Sequence, residues 1–131
     1  MKYVLFVWFL LFSVSSFSET VHPIEKELNL CLSKNENQTT AGMNNCVSTA
    51  TAAWDKELNV VYKKLMSSLG AEAKEDLKSS QIAWLKHRDL EFKLINSIYE
   101  KKIGTMYTNI KAMNVLVVTK NRTLELSSYL E

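Results

Sequence analysis

The chain has 131 residues, 47% hydrophobic and 23% charged, so it is sized for one domain and is too apolar for wholesale disorder. Three Gly and one Pro are too few for sheets built on tight turns, which favours helices. Sixteen basic against 14 acidic residues, a net charge of +2, is too balanced for a protein whose main partner is nucleic acid.

The chain opens with Met1-Lys2 and an apolar run through Phe12, then turns small and polar from Ser13 to Ser18. This is the pattern of a secretory signal peptide, with cleavage expected before Glu19. An uncleaved anchor is the competing reading, but the run is shorter than the roughly 20 residues needed to cross a bilayer. Residues 1–18 are therefore expected to be removed, and residues 19–131 to form a single exported domain, periplasmic or extracellular. That domain carries 15 basic and 14 acidic side chains, a net charge of +1, and needs no stable membrane span.

Cys31 and Cys46 are the only cysteines, and an even count in a small exported chain reads as one disulfide. Metal ligation and a reactive thiol are the alternatives. A metal site would need two more ligands, which His22 and His87 are badly placed to supply.

In chain order, His22-Pro23-Ile24 opens a short helix, since Pro is tolerated in a first turn. Ile24, Leu28, Cys31 and Leu32 lie along one side of it. A polar loop follows, Ser33 to Gly42, with its ends held by the expected bridge. Thr39 or Thr40 can cap the second helix. Its apolar line is Met43, Val47, Ala50, Trp54, Leu58, Val61, Leu65 and Leu69, in helical steps of three and four. Gly70 is a natural stop.

A third helix, about 71–102, carries the inward line Leu77, Gln81, Trp84, Arg88, Phe92, Ile95 and Tyr99. Ile82, Leu85, Leu94 and Ile98 are expected to widen its apolar face. Gly104 ends it. The fourth helix starts near Thr105, with Met106, Ile110, Met113, Val117, Leu124 and then Leu126 or Tyr129 as its apolar line. Val115-Leu116-Val117-Val118 is β-branched-rich but has no partner strand, so it is read as helix.

The expected fold is all-α. A long antiparallel hairpin turns at Gly70, covered by a short N-terminal helix and a C-terminal helix in a four-helix, bundle-like arrangement. A turn centred there sets Leu58 against Ile82, Asn59 against Gln81, and Asp55 near Arg88. Asp55, Asn59, Tyr62, Gln81 and Arg88 then read either as a structural polar network or as a site. Polar groups on a core face must be partnered, because an unsatisfied buried donor costs about 1–3 kcal/mol. Trp54 and Trp84 read as core anchors.

The same residues carry a family resemblance. Met43-Asn44-Asn45-Cys46 and the run from Asp55 to Leu65 resemble the LprI-like lysozyme-inhibitor family. Gln81-Ile82-Ala83-Trp84-Leu85-Lys86-His87-Arg88-Asp89 looks like its Q-x-A-W-x-x-x-R-D segment. Gly104-Thr105, and Thr119-Lys120-Asn121-Arg122 ahead of Leu126, match its closing elements. The resemblance covers roughly Cys31 to Leu130. It implies a small exported bacterial helical domain, of which at least one type inhibits lysozyme while many have no assigned role, and it adds Trp84, Asp89, Thr119 and Arg122 to the expected network. This chain departs from the pattern in lacking a second cysteine pair that the family often has, one at the place of Phe92 and the other near Asn114, ahead of the T-x-x-R element. Phe92 can replace that tie by packing, whereas Asn114 offers no such replacement.

No residue set suggests an enzyme, a cofactor or a metal. There is no nucleophile elbow, no H-E-x-x-H and no phosphate loop. The expected role is a binding protein with a protein partner, possibly a lysozyme, gripped through the stapled loop: Lys34, Asn35, Glu36, Asn37 and Gln38. An immunity-type or scaffold protein that binds another envelope protein is the alternative.

Overall fold

The computed structural model describes residues 21–131, so the expected signal peptide lies outside the described residues. Four α-helices follow in order: α1 Pro23–Ser33, α2 Thr40–Ser68, α3 Ala71–Tyr99 and α4 Met106–Ser128, with a single 3-10 turn at Asn35–Asn37. Val115 to Val118 are helical, as expected.

Side-chain caps set the starts of α1 and α2. His22 caps α1, its Nδ1 accepting from the Ile24 N–H at 3.3 Å, with Pro23 in the first turn. Thr39 caps α2, its Oγ1 accepting from the Gly42 N–H at 3.0 Å. Gly70 does not take the left-handed stop conformation. It is extended (φ −74°, ψ 170°) and is the residue from which α3 starts. Gly104 is the glycine with positive φ, 121°, where a side chain would be strained.

The apolar line of α2 is buried as its spacing requires, with Val47, Ala50, Trp54, Leu58, Val61 and Leu65 all at 5% exposure or less. Two clusters form along it. Leu28 of α1 and Leu116 of α4 close around Cys46, Val47, Ala50 and Trp54. Leu77 of α3 and Leu126 of α4 close around Leu58, Val61 and Leu65. The most extensive helix contact is therefore α2 with α4, not α2 with its sequence neighbour α3. The two run parallel. Asn109 reaches Met43 near one end, and Thr123 Oγ1 donates to the Trp54 carbonyl at 3.4 Å further along. Between them in sequence, α3 runs back the other way and packs on α4.

This corrects two sequence expectations. Ile82, Leu85, Leu94 and Ile98 do not widen a core face, for they are 38–62% exposed. On α4, Met106, Met113, Val117, Leu124 and Tyr129 are also 37–62% exposed, while Leu116, Thr119, Arg122, Thr123 and Leu126 turn inward. The buried face of α4 mixes threonines with leucines. Thr123 hides its polarity by donating to the Thr119 carbonyl at 2.9 Å, so of the expected line Leu126 is inside while Met106, Met113, Val117 and Leu124 are not.

Trp54 is fully buried and the His22 ring lies 4.4 Å from it, centroid to centroid. Trp54→Ala is expected to cost about 3–5 kcal/mol in urea denaturation. Ile82→Ser should change stability by less than about 0.5 kcal/mol, because its side chain faces solvent.

Candidate functional site

The loop between α1 and α2 is bound to the frame at several points. Cys31 and Cys46 form a disulfide with Cα atoms 5.7 Å apart. Asn37 Nδ2 donates to the Cys31 carbonyl at 2.8 Å, and Gln38 Nε2 donates to the Leu32 carbonyl at 2.6 Å. Gly42 packs so closely that a Cβ there would lie 2.6 Å from Asn37 Cα, so glycine is required by contact, not by dihedral. Asn37 and Gln38 thus spend their amide donors on the loop itself. Lys34, Asn35 and Glu36 are exposed and make no side-chain hydrogen bond among the described residues.

The expected polar network is divided in two. Arg88 Nη1 lies 4.0 Å from Asp55 Oδ1, which agrees with the expected register, and Arg88 also forks onto Asp89 at 2.8 and 3.1 Å. Arg88 stands over the rings of Trp84 and Phe92, 5.7 Å from each centroid. This group is on the surface, however, with the Asp55 and Asp89 side chains 56% and 67% exposed. Asn59 and Gln81 line one groove but are not hydrogen-bonded to each other. The Asn59 amide donates to the Asp55 carbonyl of its own helix at 2.9 Å. Tyr62 is half-buried beside the second apolar cluster.

The buried half of the network centres on Arg122, 6% exposed. Its Nε donates to Gln81 Oε1 at 3.1 Å, Nη2 to Ser80 Oγ at 3.0 Å and Nη1 to Glu125 Oε2 at 2.7 Å. Its guanidinium stands 6.0 Å from the Trp84 ring centroid. Trp84 therefore faces two arginines, one from its own helix and one from α4, a favourable arrangement for an aromatic quadrupole. Thr119 is buried one turn before Arg122 and holds Thr123 through its carbonyl. Ser80 and Glu125 were not anticipated. The spacing of Glu125, three residues after Arg122, was the available signal.

Further along, the tie between α3 and α4 is polar. Asn114 Nδ2 donates to Tyr99 Oη at 3.3 Å, and Lys111 Nζ donates to Asn96 Oδ1 at 2.6 Å. Asn114 thus supplies the connection it was expected to lack, while Phe92 packs under Arg88.

Beyond the Asp55–Arg88 pair, α2 and α3 frame an open groove of about 510 Å³ floored by α4. Val47, Phe92, Ala112 and Val115 give it apolar walls, and Asp55, Arg88 and Lys111 line it as well. Among the described residues no group of three or more His, Cys, Asp or Glu side chains gathers as a metal site would require. No described helix is long and apolar enough to cross a membrane.

These features define a class: a small helical domain whose two parallel core helices are braced by a third, with a bridged loop at one end. The family model for the lysozyme inhibitor LprI matches residues 31–126, and the chain belongs to that family. No curated protein matches it significantly. Its fold is similar to that of an uncharacterized protein from Burkholderia thailandensis whose crystal structure is known. The two are 31% identical with a TM-score of 0.78, over 82% of this chain and 52% of the other. The present chain thus spans about half the length of that protein.

The two arginines should separate on mutation. Arg122→Ala removes a buried side chain and three hydrogen bonds whose partners Ser80 and Glu125 stay solvated, and should lower stability by about 1–3 kcal/mol. Arg88→Ala should cost about 1 kcal/mol or less, since its ion pairs are exposed. Equilibrium denaturation of both variants checks the contrast.

Proposed function

We propose that this protein is exported and acts in the cell envelope or outside the cell as a proteinaceous inhibitor of a lysozyme-type peptidoglycan hydrolase, not as an enzyme. Family membership supports the target class, and the signal-peptide pattern supports export. The observation that carries the mode of binding is the construction of the loop. Its shape is held by the Cys31–Cys46 bridge, the inward amides of Asn37 and Gln38, and the close packing of Gly42. A loop ordered before contact loses little conformational freedom on binding.

Lysozymes cut between two carboxylates lining a cleft. Lys34 and Asn35, exposed on the rigid loop, are donors suited to such groups, and Glu36 beside them is available to basic residues at the cleft rim. The bridge and the inward hydrogen bonds hold the backbone, and these outer side chains make the contact.

In a turbidity assay, the purified protein at near-stoichiometric ratio should slow lysozyme clearing of cell walls. Lys34→Ala with Asn35→Ala should weaken inhibition at least tenfold with the melting temperature unchanged. Full inhibition by that pair would remove the loop from the contact, and no inhibition of several lysozyme types at large excess would remove the function. With a net charge of +1 there is no overall steering, so the association rate should vary little with salt.

A further inference from the structure

On α4 the two faces have different fates. Leu116, Thr119, Thr123 and Leu126 are buried in the core, Arg122 and Asn114 bond to α3, and Lys120 bonds to Glu25 of α1. The remaining sector carries Met106, Ile110, Met113, Val117 and Leu124, spaced 4, 3, 4 and 7 residues apart. Met106 is 61% exposed, and Met113, Val117 and Leu124 are 37–40% exposed. That spacing is the a/d seam of a coiled coil, with Lys120 at the one remaining seam position. The stripe runs from Met106 to Leu124, about 27 Å of helix.

We propose that this stripe is the contact between two copies of the chain, packed α4 against α4 in antiparallel orientation about a two-fold axis. A two-fold contact must be self-complementary, so the stripe has to match its own reverse. It does so with the axis level with Val115, between Met113 and Val117. Met106 then lies opposite Leu124 of the other copy, Met113 opposite Val117, and Ile110 opposite the alkyl stem of Lys120, whose amine is held by Glu25.

Charge selects this orientation. Glu100, Lys101 and Lys102 are exposed in the turn four to six residues before α4, a net charge of +1, and Glu131 is exposed just after it. Antiparallel pairing brings the lysines of each copy to the Glu131 end of the other, whereas parallel pairing would set like charges together. The helix dipoles also oppose favourably. The bridged loop lies near the start of α4, since Met43 meets Asn109, so the pair would carry one loop toward each end. A contact dominated by one helix pair is at the small end of stable interfaces, so the dimer should be micromolar and reversible.

Sedimentation equilibrium of the purified protein over low to high micromolar concentration tests this without reference to lysozyme. The expected result is a monomer that becomes a dimer with rising concentration. Met113→Glu with Val117→Glu should weaken the dimer at least tenfold, with unchanged helical circular dichroism and melting temperature. Under oxidation, a variant carrying both Met106→Cys and Leu124→Cys should cross-link between copies, since those positions are too far apart to bridge within one helix. Either cysteine alone should not. A monomer at every concentration, an unaffected dimer in the glutamate variant, or cross-linking by either single cysteine would overturn the proposal.

Discussion

Burial of one face of α2 is the constraint on which the molecule depends. Six side chains from Val47 to Leu65 sit at 5% exposure or less along it, with Trp54 fully enclosed. No single neighbour covers this face. Leu28 and Leu116 close it in one half, Leu77 and Leu126 in the other, so α1, α3 and α4 are each positioned by the same stripe. The disulfide adds a covalent hold where α1 meets α2, and closing a loop of this separation contributes about 3 kcal/mol in the chain-entropy view.

Apolar burial does not fix how α3 sits, because that helix keeps only Leu77 and Ile95 fully inside. Its placement rests on directional contacts: Arg122 to Gln81 and Ser80, Asn114 to Tyr99, and Lys111 to Asn96. Only Arg122 among these groups is buried, and a buried polar group with directional partners is good at selecting one register among several. These contacts also explain why the Arg88 group lies outside. The task of joining α3 to the bundle belongs to the buried Arg122, and Arg88 is left beside an open groove with Asp55 and Asp89.

Much of this was legible in the sequence, and the failures share a cause. The line on α2 was readable because every member is apolar and the period is unbroken. The bridge was readable because two cysteines allow one pairing. The proximity of Asp55 and Arg88 followed from counting back from Gly70. The inward face of α4 was not readable from hydropathy, because Thr119, Thr123 and Arg122 are buried there while Met113 and Val117 are not. Ile82 and Leu94 misled in the same way, since an apolar residue on a helix need not be covered. Of the loop residues, Asn37 and Gln38 looked like partner contacts because asparagine and glutamine are polar. Their amide donors are taken up by backbone carbonyls six residues earlier, a loop-shaping role that polarity alone does not reveal.

The parallel alignment of α2 with α4 bears on how the chain acquires its shape. A bundle whose sequence neighbours pair first can close hairpin by hairpin, but here the largest contact joins segments separated by the whole of α3. Non-local pairing of this kind slows folding. A chain emerging from its amino end would show the Trp54 face to its surroundings until the last 26 residues follow. Meanwhile Cys31 and Cys46 can already join. The contacts thus let the Cys31–Cys46 bridge close without α4, whereas enclosure of Trp54 needs Leu116 of the trailing helix.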